Sequence, residues 1–158
     1  MNTYKYQKIG DTTFRFLKIP SIPARVVMNS MQKELDCLRP FIQIETPQGW
    51  LSLDDDSVVK KYVDNWEDLT NAEVEAYDYN FGFLTTWKSQ RIPHKMTKVK
   101  YVVAESANMD PATAALINHG MATYEQLRDK YSLEEAFKLL DVLTVKKLNE
   151  FRASEANT

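Results

Sequence analysis

Four helix-start signatures crowd the last third of this chain. Asp110 precedes Pro111, Thr123 opens a polar-apolar run, Ser132 stands three residues before Glu135, and Thr144 precedes Val145. A side-chain oxygen at such a position accepts from the unpaired N–H groups of a first helical turn, and proline there sacrifices no hydrogen bond. The spacing predicts a short helix through Ala115, Leu116 and Ile117, closed near His119-Gly120, and a second with Leu127 facing inward. It predicts a third with the stripe Leu133, Phe137 and Leu140, and a fourth, capped by Thr144, with Val145, Leu148 and Phe151 facing the core. Short amphipathic helices joined by turns of a few residues can bury their stripes only against one another, as a compact bundle.

The N-terminal part reads differently. Alternation in Tyr4-Lys5-Tyr6-Gln7-Lys8 and in Phe14-Arg15-Phe16-Leu17, around Gly10-Asp11, predicts a hairpin over residues 3–9 and 12–18. A two-stranded ribbon is marginal alone, so it must lie on a helix or pair with another chain. Ser21 and Pro23 start a helix whose stripe is Val27, Met31, Leu35 and Leu38, ended by Pro40. Phe41, Ile42 and Ile44 form either a short strand or an extended connector before the Pro47-Gln48-Gly49 turn, and Leu51 and Leu53 continue the extended pattern. One of Asp54, Asp55, Asp56 and Ser57 caps a helix carrying Val58, Val59, Tyr62 and Val63. Thr70 with Glu73 has the spacing of a capping box, opening a helix with Val74, Tyr77, Phe81 and Leu84 on one stripe and Gly82 in its interior. The run from Lys98 to Ala104 fits a strand or a helix equally. The expected fold is therefore mainly helical α+β, a short N-terminal β-hairpin with a bundle of short amphipathic helices. It is expected as a single domain over residues 1–158, with a weak hinge near 88–109 before a C-terminal helical subdomain.

Charge is unevenly placed. Glu45 to Asp78 holds ten acids against two lysines, whereas Lys88 to Lys100 holds five Lys/Arg and no acid. Such polarity orients a protein against a partner or against copies of itself. The net charge of -2 argues against wholesale nucleic-acid binding. Eighteen aromatic side chains argue against disorder. No apolar run reaches membrane-spanning length, the N-terminus lacks the pattern of a signal peptide, and the lone Cys37 has no internal disulfide partner, so folding in a reducing cytoplasm is expected.

Chemistry-bearing patterns are sparse. His94 and His119 have no companion ligands at metal-binding spacing. Asp54, Asp55 and Asp56 lack the glycine and closing glutamate of a calcium loop, and helix capping accounts for them better. Glu73 and Asp78 show no partner acid across a cleft, and Ser57, Ser89, Ser132 and Cys37 lack nucleophile-elbow glycines. Gly10, Gly49, Gly82 and Gly120 are too scattered to cradle a phosphate. No enzymatic activity, metal or cofactor is expected. The candidate site is a partner-binding basic patch of Lys88, Arg91, Lys95, Lys98 and Lys100. Trp87 and Tyr101 beside it leave a nucleic-acid accessory role as an alternative.

Two stretches carry a family resemblance. One is Phe14-Arg15-Phe16-Leu17-Lys18-Ile19-Pro20 followed by Ala24-Arg25-Val26-Val27. The other is Met121 to Leu127 followed by Tyr131-Ser132-Leu133-Glu134-Glu135-Ala136-Phe137-Lys138-Leu139-Leu140-Asp141-Val142-Leu143. The segment Tyr4–Leu38 resembles the small tail-assembly proteins of tailed bacteriophages, especially tail assembly chaperones, and the C-terminal stretch is similar to the helical endings of small tail and baseplate proteins. About half the chain is covered. The region Trp50–Trp87 departs from the chaperone pattern in being more aromatic and acidic. The resemblance implies a non-catalytic factor in the host cytoplasm during assembly, binding tail or baseplate proteins and, as a chaperone, the tape-measure protein. Self-association is a further expectation, and the alternative is a structural baseplate or tail-completion subunit retained in the virion.

Overall fold

A computed structural model describes residues 4–30, 35–97 and 108–156. The chain folds as mainly helical α+β, but its N-terminal hairpin is half of a larger sheet. Strands β1 (Tyr4–Ile9), β2 (Thr12–Leu17), β3 (Ile42–Thr46) and β4 (Gly49–Ser52) form a four-stranded sheet in the order β1-β2-β3-β4, every neighbouring pair antiparallel. The β1–β2 turn needs glycine. Gly10 has φ +57°, and a Cβ there would lie 2.6 Å from Asp68 Oδ2, so the hairpin tip seats closely on the next layer.

Between β2 and β3 run α1 (Ser21–Ser30) and a 3-10 turn, Leu35–Phe41. Then follow α2 (Asp56–Tyr62), α3 (Trp66–Phe81), a 3-10 turn (Gly82–Thr85), α4 (His94–Thr97), α5 (Pro111–Asn118), α6 (Tyr124–Asp129) and α7 (Leu133–Ala156). Strand alternation sends Phe14, Phe16, Ile42 and Ile44 to one face, where all four are fully buried with Leu38, Leu53, Leu69, Ala72, Ala76 and Phe81. Each such Phe, Ile or Leu side chain contributes about 1.5–3 kcal/mol on leaving water. A second apolar group joins Leu116, Ala122, Leu127 and Ala136 of the C-terminal helices. Helix α1 links the two, with Ala24 and Val27 in the first group and Ile22 against the second. Leu133 of α7 also reaches the first, and Ser21 N–H donates to the Tyr131 carbonyl at 2.6 Å.

Several local expectations hold in detail. Asp55 caps α2 by accepting from Ser57 N–H, and Asp110 caps α5 through Thr113 N–H. Thr123 forms a capping box with Gln126. Ser132 and Glu135 also cap reciprocally: Ser132 N–H donates to Glu135 Oε2 at 2.7 Å and Glu135 N–H to Ser132 Oγ at 3.3 Å.

Others are corrected. Helix α3 begins four residues before Thr70, because Asn65 accepts from Glu67 N–H at 2.9 Å and so supplies the cap. Thr70 is interior and donates to the Trp66 carbonyl. The buried residues of α3 are Leu69, Ala72, Glu73, Ala76, Asn80 and Phe81; of the expected stripe Phe81 is fully buried and Tyr77 half-buried, while Val74 is exposed. Small residues there let the sheet approach closely. Gly82 falls at the helix end, not in its interior. The stripe expected from Val27 to Leu38 is not one α-helix: Val27 lies in α1, but Leu35 and Leu38 sit in the 3-10 turn that contains Pro40. Met31 lies outside the described residues, as do Lys98–Ala104.

Thr144 caps nothing. Helix α7 is continuous, since Asp141 to Lys146 contains no glycine or proline, and the Thr144 hydroxyl donates to the Leu140 carbonyl at 2.8 Å. Leu133, Leu143 and Leu148 are its buried apolar side chains beside Ala136; Phe137, Leu140 and Phe151 are half-buried and Val145 is exposed.

Two polar clamps hold the layers. Asn80 Oδ1 accepts from Ile19 N–H at 2.8 Å, and its Nδ2 donates to the Leu17 and Ala76 carbonyls at 3.2 and 3.1 Å. Arg39 Nε donates to Glu73 Oε1 at 2.7 Å, tying the 3-10 turn to α3 with both side chains largely buried.

Candidate functional site

Three residues of the expected basic patch, Lys88, Arg91 and Lys95, are among the described residues. Lys88 and Arg91 are exposed on the stretch without regular structure before α4. Lys95, also exposed, lies in α4 and pairs with Glu155 near the end of α7 at 3.1 Å. Lys98 and Lys100 lie outside the described residues. This stretch runs along α7: Trp87 meets Phe137 edge-to-face at 5.5 Å, and Phe137 meets Phe83 likewise. A shallow cleft of about 190 Å³ opens there, lined by Trp87, Ile92, Phe137, Leu140, Asp141 and Thr144 among others. Its walls are largely apolar, so it suits an aliphatic side chain better than a charged ligand.

The groups weighed for chemistry are engaged structurally. Glu73 is the buried partner of Arg39, and Asp78 is exposed. Cys37 is half-buried, and burial pushes its thiol pKa up, which keeps it protonated. Lys18 donates to the Tyr79 carbonyl and sits 4.5 Å from that ring's centroid, with Glu134 3.9 Å away. Burial lowers its pKa, against the pull of Glu134. It holds the β2–α1 link onto α3 and α7. Among the described residues, no group of three or more His, Cys, Asp or Glu is placed to hold a metal ion, and no helix is long and apolar enough to cross a membrane.

The most distinctive surface was not anticipated. Helix α3 packs on the inner face of the sheet, where Lys5 on β1 donates to Glu75 on α3 at 2.7 Å. Alternation turns Tyr4, Tyr6, Arg15, Gln43, Trp50 and Ser52 to the other face. The register aligns Tyr6, Arg15, Gln43 and Ser52 in one row across all four strands. Arg15 is the centre: its guanidinium lies 4.8 Å from the Tyr4 ring centroid and 4.5 Å from that of Trp50, and its Nε donates to Gln43 Oε1 at 2.5 Å. The Tyr6 and Trp50 rings meet over this row, centroids 5.6 Å apart, although their strands are at opposite sheet edges. Tyr6 stays 58% exposed.

Part of this face was legible. Arg15 between two core phenylalanines must point away from the core, and Tyr4 and Tyr6 share a face at period two. Trp50 was not, because it reaches the others only through pairing of β4 with β3 and β3 with β2. Tyr, Trp and Arg are the side chains that most often dominate protein–protein binding energy. Compared with protein-family models, with curated proteins and with solved structures, the chain matches none.

Proposed function

We propose that this protein is a non-catalytic bacteriophage tail morphogenesis factor that binds other tail proteins, acting as a tail assembly chaperone in the host cytoplasm. The observation that carries a binding role is the aromatic face around Arg15, an organised contact surface to which Tyr4, Tyr6 and Arg15 come from the segment that resembles tail assembly chaperones, and Gln43 and Trp50 from strands beyond it. In this role the protein shields apolar segments of the tape-measure protein until the tube forms around them. The exposed cations Lys88 and Arg91, with Lys95, add a charged surface that orients the encounter.

The test is co-expression with a tape-measure protein of the same phage, followed by mass spectrometry of purified mature particles. A soluble complex together with absence from particles is the expected result. Recovery in mature particles overturns the chaperone role in favour of a retained tail or baseplate subunit. Failure to co-purify with any tail protein overturns the tail assignment. Tight, salt-sensitive binding to DNA or RNA instead points to the nucleic-acid accessory role.

A further inference from the structure

We propose that the outer face of the N-terminal sheet is a carboxylate-reading docking surface, on which Arg15 receives an acidic side chain of an extended protein segment while Tyr6 and Trp50 cover an adjacent apolar one. Arg15 carries the argument. Most half-buried cations of the described chain have a carboxylate: Lys5 has Glu75, Lys18 has Glu134, Arg25 has Asp110 and Arg39 has Glu73. Arg15 has none among the described residues. Its Nε–H goes to a neutral amide, and its terminal N–H groups have no acceptor among the described residues. Those nitrogens are not sealed in, because the only buried side-chain nitrogen or oxygen without a hydrogen-bond partner among the described residues is Arg25 Nε. Two rings and Gln43 therefore fix a planar fork with free donors at the surface. Such a fork matches a carboxylate, and holding it in place beforehand lowers the entropy lost on binding.

Two other occupants fit less well. A second copy packed face to face about a two-fold axis through the patch brings Arg15 against its own counterpart, a like-charge contact. A nucleic acid needs several phosphate-neutralising cations, but among the described residues this face carries only Arg15 and Lys8. Lys8 is already near Asp11 at 3.7 Å, and Glu45 is exposed opposite Trp50. One local carboxylate is compatible with Glu45; a continuous run of phosphates is not.

This inference rests on the reading of the face as a protein-binding surface, and its test separates the two. The full chain is titrated with a short blocked peptide alternating glutamate with leucine and phenylalanine, followed by the Arg15 Nε–H and Trp50 indole N–H signals in nitrogen-edited NMR. The same peptide with glutamine for glutamate and a single-stranded oligothymidylate are the controls. Saturable shifts with the acidic peptide are expected, with binding about tenfold or more weaker for the glutamine peptide. Arg15→Lys, which keeps charge but loses the fork, should weaken binding by a similar factor. Tyr6→Ala, at a largely exposed position, should weaken it with the thermal midpoint unchanged. Equal binding of both peptides, no shift at Arg15, or full binding by Arg15→Lys overturns the proposal. So does tighter binding of the oligonucleotide, or concentration-dependent dimerisation that Tyr6→Ala abolishes. Peptide binding without recovery of any tail protein overturns the tail role alone; recovery of tail proteins by Arg15→Lys at wild-type level overturns the Arg15 assignment alone.

Discussion

Replacing Asn80 with alanine isolates the clamp between the sheet and α3. Asn80 is 3% exposed, and the backbone N–H it serves belongs to Ile19, itself 1% exposed. Truncation leaves that N–H buried without an acceptor, which costs about 1–3 kcal/mol, and losing the bond to the Leu17 carbonyl adds about 0.5–1.5 kcal/mol. The expected loss is therefore about 2–4 kcal/mol, since the Ala76 bond lies within one helix and adds little. Urea unfolding followed by far-UV circular dichroism measures it, with the slope of the transition unchanged if only the folded state is affected. Asn80→Asp sharpens the test. A carboxylate there still accepts from Ile19 but is buried without a cation, so its folded pKa rises above the unfolded aspartate value of about 3.9. A raised folded pKa means the protonated form is favoured on folding. The variant should come closest to wild type near about pH 4 and lose stability as pH rises through the folded value. A loss under about 0.5 kcal/mol for Asn80→Ala, or an Asn80→Asp deficit independent of pH, would refute the assignment.

Three further outcomes are expected. Proline at Val145 should destabilise the protein by about 3 kcal/mol or more, because it interrupts a continuous α7; proline there would be tolerated if Thr144 capped a separate helix, and a thermal melt decides. The hydrogen bond from Lys5 holds the Glu75 carboxyl below the ordinary glutamate value of 4.5, so its stabilisation is complete above that value and is lost as pH falls through the lowered folded one. Lys5→Met should therefore show a deficit of at most about 1 kcal/mol near neutrality that shrinks on acidification, and a deficit constant with pH would contradict it. Reversing Arg91 and Lys95 to glutamate should weaken partner association most at low salt, as read by titration calorimetry. It should cost under about 1 kcal/mol of stability, because the broken Lys95–Glu155 pair is exposed.

Helix starts were readable where one residue decides them locally. Asp55, Asp110, Thr123 and Ser132 cap because their side chains reach N–H groups two or three residues ahead, whatever the rest of the chain does. The same rule misled at Thr70 and Thr144, which have the right side chain inside helices that had already begun. Asn65 won over Thr70 because its cap opens the helix one turn earlier, and nothing after it breaks the helix before Gly82.

The amino-acid sequence alone thus determined the mixed, mainly helical class, the N-terminal hairpin with its Gly10 turn, and the alternation that sends Phe14 and Phe16 inward and Arg15 outward. Those properties follow from period, sterics and caps, which act over a few residues. Only the tertiary structure decided that β3 and β4 complete the sheet, that Ala72 and Ala76 bury where Val74 does not, and that Trp50 closes over Arg15. These depend on contacts between residues far apart in the chain. Their partners are selected by packing and hydrogen-bond satisfaction in the whole fold, which local propensity does not encode.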